Sequence, residues 1–161
     1  MKRITALGVV VICMIMTMFS SVLSVSAETI PGTTTVTTSE EVITSTTLIQ
    51  NYTFSKSATA NALSLTASVT AIEVMKKIGF INFEIQRSSS SSGNWTSTSY
   101  NVPDQIAEDA ISNSIVQYPV SVAGGYYYRI CLDFYAKEKG WFFPKTQTFH
   151  YESTAIWVPS N

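Results

Sequence analysis

The sequence is poor in the residues that do chemistry. Among 161 residues there is one histidine, His150, and there are two cysteines, Cys13 and Cys131, with only 13% charged side chains. One histidine and one or two thiols do not build a zinc site of nitrogen and sulfur ligands. The formal charge of −1 gives no basic footprint for nucleic acid. There is also no long stretch with a period of 3.6 residues, so no helix is expected to cover a sheet.

What is present begins with a greasy N-terminus. Lys2 and Arg3 precede an almost unbroken apolar run, Ile4 to Phe19, and Val25-Ser26-Ala27 places small residues where a signal peptidase cuts. Residues 1–27 therefore read as a secretory signal peptide, and the run is short for a spanning helix, which needs about 20 apolar residues. Its removal leaves 28–161, with eight basic and eleven acidic residues and a formal charge of −3. No polybasic patch for an anionic membrane remains, and no stable membrane anchor is expected after cleavage. Cys13 leaves with the signal, so Cys131 stands alone and is expected as a buried small hydrophobe. The expected location is secreted, extracellular.

Residues 28–47 hold nine threonines and read as a disordered leader, either a spacer that carries O-linked sugar or a tail with no task. From Leu48 the pattern changes to alternation. Leu48, Tyr52 and Phe54 share one face. Leu63, Leu65, Ala67, Val69 and Ala71 share another, and so do Ile81, Phe83 and Ile85. Val116, Tyr118, Val120 and Val122 form a fourth such set. Glu73 to Gly79 reads as a connection and Pro103 to Asn113 as an irregular one. Pro119 suits an edge strand, because it has no N–H to donate. The stretch opened by Gly124-Gly125 puts Tyr126, Tyr128, Ile130, Leu132, Phe134 and Ala136 on one face, which marks a central strand. These strands predict an all-β fold for 48–158, an antiparallel β-sandwich of immunoglobulin or fibronectin-III type with about seven strands, with a jelly roll or an open barrel as the alternatives that alternation alone leaves open. Tyr128 is its candidate corner tyrosine.

Candidate chemistry is thin. If the strands carrying Cys131 and His150 pair in one register, Cys131, Asp133 and His150 become neighbours, a set that would suit a thiol enzyme, whereas a one-residue slip puts His150 on the other face. No nucleophile turn or oxyanion loop precedes Cys131, so no catalytic residue is assigned. Asp104, Glu108 and Asp109 lack the spacing of a calcium loop, and no metal site or cofactor is assigned. The serine-rich turn 88–93 has no lysine after it to make a phosphate cradle.

The aromatics carry the remaining signal. Trp95, Tyr100, Trp141, Phe142 and Phe143 sit in or beside loops and are the candidate ligand-binding residues, for a protein partner or for sugar faces. The more economical reading of Trp141 or Phe142 is a lid folded back over the open end of the core, since large exposed apolar patches are uncommon on monomers.

Met75-Lys76-Lys77-Ile78-Gly79, Phe83-Glu84-Ile85-Gln86-Arg87-Ser88, Gly93-Asn94-Trp95, Gly125 with Tyr128-Arg129, and Phe134-Tyr135-Ala136-Lys137 resemble the corresponding runs of a family of small secreted β-domain proteins of unknown function from clostridia-type Gram-positive bacteria. The resemblance spans about Leu48 to Val158. It implies a signal peptide followed by one β-domain, and no catalytic residues. The loop after the Tyr-Ala strand is Gly/Ser-rich in that family and bulky here. The expected function is a non-enzymatic module that contacts a cell-envelope or extracellular protein partner through the 141–144 tip. The alternative is a glycan-binding module using Trp95, Tyr100 and Trp141.

Overall fold

Every strand pairing in the computed structural model is antiparallel, and all strands belong to one hydrogen-bonded sheet. The structure describes residues 36–42 and 48–161; residues 1–27, read from sequence as a signal peptide, and the rest of the Thr-rich segment lie outside the described residues. The strands are β1 (Val36–Val42), β2 (Ile49–Thr59), β3 (Ala62–Ser88), β4 (Thr96–Ser97), β5 (Gln105–Ser121), β6 (Tyr126–Lys137), β7 (Thr146–Glu152) and β8 (Ile156–Val158). The all-β antiparallel architecture expected from alternation is borne out.

Over its seven residues β1 corrects the leader reading, because this part of the Thr-rich segment pairs along β2. Threonine is β-branched and suits a pleated edge, and β2 would otherwise present unpaired N–H and C=O groups.

β3 is the spine. It runs for 27 residues through the stretch at Glu73–Gly79 that reads as a connection. Its first half, from Ala62 to Ala71, pairs with β2, and its second half, from Lys77 to Ser88, pairs with β6. β5 follows both halves from Ala62 to Phe80 along the opposite edge. Residues 105–113, which read as irregular, are thus strand. Their inward side holds only small Ala107 and Ala110, and Ile111 faces outward among Glu108, Asp109 and Ser112, so the inward alternation of large apolar residues that marks a strand is missing there.

The sheet curls at one place. Between Thr70 and Met75 on β3, β5 advances only from Ser112 to Ala110. The surplus residues on β3 let the β2 half turn over the β6 half. The inner faces then meet: the Tyr52 ring on β2 lies 4.4 Å from Phe134 on β6 and 4.8 Å from Phe149 on β7. Phe80, Tyr128, Leu65 and Ile130 fill the rest of the space between them, all fully buried. β6 is central, as its alternation requires, with β3 on one side and β7 and β8 on the other. β5 bonds to β3 alone, so Pro119 sits on an edge strand.

Two faces are corrected by bulges. Gln117 adopts a left-handed backbone (φ 50°) where the β3–β5 register slips. That slip puts Ile115 inside and turns Val116 out to 72% exposure, whereas Val120 and Val122 face in as expected. Asn82 does the same on β3 (φ 55°), so that Phe80 before it and Ile85 after it are both buried despite opposite parity. A one-residue insertion flips every later side chain, and hydropathy alternation does not reveal it.

The end away from the curl is tied by Asn61, in the β2–β3 turn with φ 56°. Its N–H donates to the Pro159 carbonyl (3.0 Å), its carbonyl accepts from Val122 N–H (3.0 Å) and its Oδ1 accepts from Gly124 N–H (2.8 Å). A side chain at Gly124 would run into Pro159, Ser160 and Asn61, which is why glycine is needed there.

Candidate functional site

The loop between β6 and β7 carries the tip. Its stem is closed by Glu138 N–H donating to the Lys145 carbonyl (2.9 Å) and Lys145 N–H donating to the Glu138 carboxylate (3.1 Å). Beyond this clasp Trp141, Phe142 and Phe143 are 98%, 86% and 96% exposed. The lid reading is therefore overturned. The core end it would have covered is closed by the curl of β3 and β5 and by Met75, Ile78 and Phe80. Phe143 holds a left-handed backbone (φ 54°), an uncommon state for a bulky residue outside a tight turn.

The other candidate aromatics lie elsewhere. The Trp95 ring is half-buried, with the Arg129 guanidinium stacked 5.1 Å from its centre. The Tyr100 hydroxyl accepts from Ala123 N–H (2.9 Å), and its ring packs near Tyr128 (6.5 Å). Arg129, beside Trp95, and Lys137, at the foot of the tip, are eight residues apart on β6, roughly 26 Å at about 3.3 Å per residue. The structure brings Trp141, Phe142 and Phe143 together and places Trp95 and Tyr100 near the opposite end of β6.

Cys131, Asp133 and His150 do lie on one face, with Asp133 opposite His150 and Cys131 opposite Glu152. His150 Nδ1 is 2.7 Å from the Asp133 carboxylate, whose other oxygen accepts from the Asn82 side chain (2.8 Å). Cys131 is buried, as expected, and burial, with Glu152 adding to it, pushes its thiol up to about 11. Such a thiol is not a thiolate near neutral pH, so the geometry supplies an oriented imidazole without an activated nucleophile.

The rest of this face is a polar lattice that alternation did not reveal. Arg129 bonds to Gln86 (2.6 Å) and Glu152 (2.9 Å), and Glu84 is held by Ser97 and Gln86. The Ser97 hydroxyl, and then the Gln86 amide, hold the Glu84 carboxyl below its usual range. Asp104, Glu108 and Asp109 do not converge: Asp104 accepts from Asn82 N–H, Glu108 pairs with Lys77 and Asp109 with Lys139. Among the described residues no group of three His, Cys, Asp or Glu side chains is placed to hold a metal ion.

Sequence reading missed a second apolar group. Ile72, Val74 and Ile111 are exposed to 55%, 45% and 48% at the crest of the curl. They lie in stretches that read as connections. The signal was there, since isoleucine and valine are costly choices for exposed loop positions, but only the fold shows that both stretches meet.

Comparison with family models, curated proteins and solved structures found no match.

Proposed function

We propose that this chain is a secreted, non-enzymatic β-module that contacts a cell-envelope or extracellular partner through the loop at 141–144. One observation carries the reading: three successive aromatic side chains stand in solvent on a clasped stem. Leaving them there gives up the burial of about 150–250 Å² for each ring, which folding would otherwise take. A buried partner surface restores it. Kinship with the small secreted β-proteins of clostridia-type Gram-positive bacteria agrees with this reading and rests on the motif runs.

The immunoglobulin-like sandwich belongs to the same proposal. It is supported by Tyr128, whose hydroxyl donates to the Ala123 carbonyl (2.7 Å) five residues upstream, the bond a corner tyrosine makes. The passage of β3 and β5 through both halves of the sheet distinguishes this form from two separate sheets.

The test is retention of protein recovered from the medium of a secreting host on Gram-positive cells, isolated walls and a glycan panel. Wild type is expected to be retained, and the triple variant Trp141→Ser/Phe142→Ser/Phe143→Ser to be lost. Equal retention of the two would overturn the reading. Retention on glycans that depends on Trp95 and Tyr100 instead would establish the glycan alternative.

A further inference from the structure

The exposed apolar side chains of this protein are not scattered. Among the described residues eight large hydrophobics are exposed, and six of them lie at one end: Trp141, Phe142 and Phe143 in the tip, and Ile72, Val74 and Ile111 on the crest. Lys137 at the foot of the tip is the register partner of Lys77, just past the crest. An ion pair of 2.9 Å joins Lys139, in the tip's stem, to Asp109, two residues before Ile111. The tip and crest thus share one end of the curled sheet.

The charges gather there too. Of the six lysines from Leu48 onward, all but Lys56 lie at this end, Lys76, Lys77, Lys137, Lys139 and Lys145. Four carboxylates stand among them, Glu73, Glu108, Asp109 and Glu138, and two are held by Lys77 and Lys139. The collar is close to neutral and is built mostly from long amphipathic lysine stems.

We propose that this end inserts into the interface of a lipid bilayer, reversibly, with the three rings as the wedge and the lysines at headgroup level. This rests on the reading of the tip as the contact surface and names its partner. Two features favour lipid over sugar or protein. Phe142 and Phe143 offer no side-chain hydrogen-bonding atom to a hydroxyl. A convex apolar point suits a medium that deforms around it, and Trp with Lys beside it is the composition that settles at a membrane–water boundary. A collar this close to neutral makes apolar burial the driving force, not attraction to anionic lipid.

The experiment uses protein recovered from the medium and shown by mass to lack residues 1–27, mixed with sucrose-loaded vesicles of phosphatidylcholine, with or without phosphatidylserine. Co-sedimentation is expected with both and is expected to survive 0.5 M salt, where the Debye length falls to about 4 Å from about 30 Å at 0.01 M. The triple Trp141→Ser/Phe142→Ser/Phe143→Ser variant should bind at least tenfold more weakly. Val116→Ser, exposed on β5, should bind as wild type. No sedimentation of wild type overturns the proposal. So does sedimentation that needs phosphatidylserine and vanishes in salt, or that ignores the triple substitution. If wild type ignores vesicles yet holds to walls or cells through the tip, the lipid assignment falls and the tip remains the contact. If the triple variant matches wild type on every surface, both fall.

Discussion

Asn61 gives the sharpest stability prediction, because one residue contributes two separable terms. Its Oδ1 accepts the Gly124 N–H at 2.8 Å, and its backbone sits at φ 56°. Losing the acceptor removes about 1 kcal/mol of net bond and strands a part-buried donor, for a total of about 1–2 kcal/mol. Placing alanine in the left-handed region adds about 1 kcal/mol or more, because Cβ crowds the carbonyl, whereas asparagine and glycine tolerate it. Asn61→Ala should therefore cost about 2–3 kcal/mol and Asn61→Gly about 1–2 kcal/mol. Asn61→Asp keeps both the acceptor and the tolerance, and should stay within about 1 kcal/mol of wild type. Urea unfolding followed by tryptophan fluorescence reads all three. If alanine costs no more than glycine, the backbone term is refuted. If all three match wild type, Asn61 does not tie the β2–β3 turn to Gly124 and the C-terminus.

Phe134 lies within ring-contact distance of Tyr52, Phe80 and Tyr151, so Phe134→Ala should cost about 3–5 kcal/mol in the same assay, whereas the triple tip substitution should cost under about 0.5 kcal/mol. Alkali should weaken the fold in two steps. Burial raises the Cys131 thiol to about 11 and the Tyr128 hydroxyl to about 12. The unfolded chain loses these protons first, so stability is full below the unfolded values of 9 and 10 and falls as pH climbs through 9–11 and then 10–12. Unfolding midpoints between pH 8 and about 11.5 check the sign, and a Cys131→Ala protein should lose the first step. A flat profile contradicts it. Cys131 should also resist iodoacetamide until the protein unfolds, since only 2% of it is exposed.

Much of this fold was legible because its strands alternate cleanly where they are half-buried. β6 reads directly from Tyr126 to Ala136, with an inward apolar set and an outward polar one. Legibility failed where register changes. The left-handed Asn82 and Gln117 invert the inward face without altering hydropathy, so Val116 faces solvent where strict alternation points it inward. It failed again at the curl, where exposed Ile72 and Val74 and small Ala107 and Ala110 break the pattern that marks a strand. The tip was visible as a run of aromatics. Whether it closed the core depended on where β3 and β5 bend, and that is a property of pairing far along the chain. Asp133 and His150 face each other only because β6 and β7 pair in this register, and with a loop from 138 to 145 between them alternation does not fix that register.

The environment of Trp141 decides most directly whether the tip is a membrane contact. In protein carrying Trp95→Phe and Trp157→Phe, Trp141 is the sole indole from Leu48 onward. Its emission should be that of a solvated indole and freely quenched by acrylamide. Adding phosphatidylcholine vesicles should shift the emission to the blue and shield it, with shallow brominated lipids quenching it better than deep ones. A blue, shielded emission before lipid is added would mean that the tip packs on the protein itself. An emission unmoved by any vesicle would mean that the bilayer is not its partner.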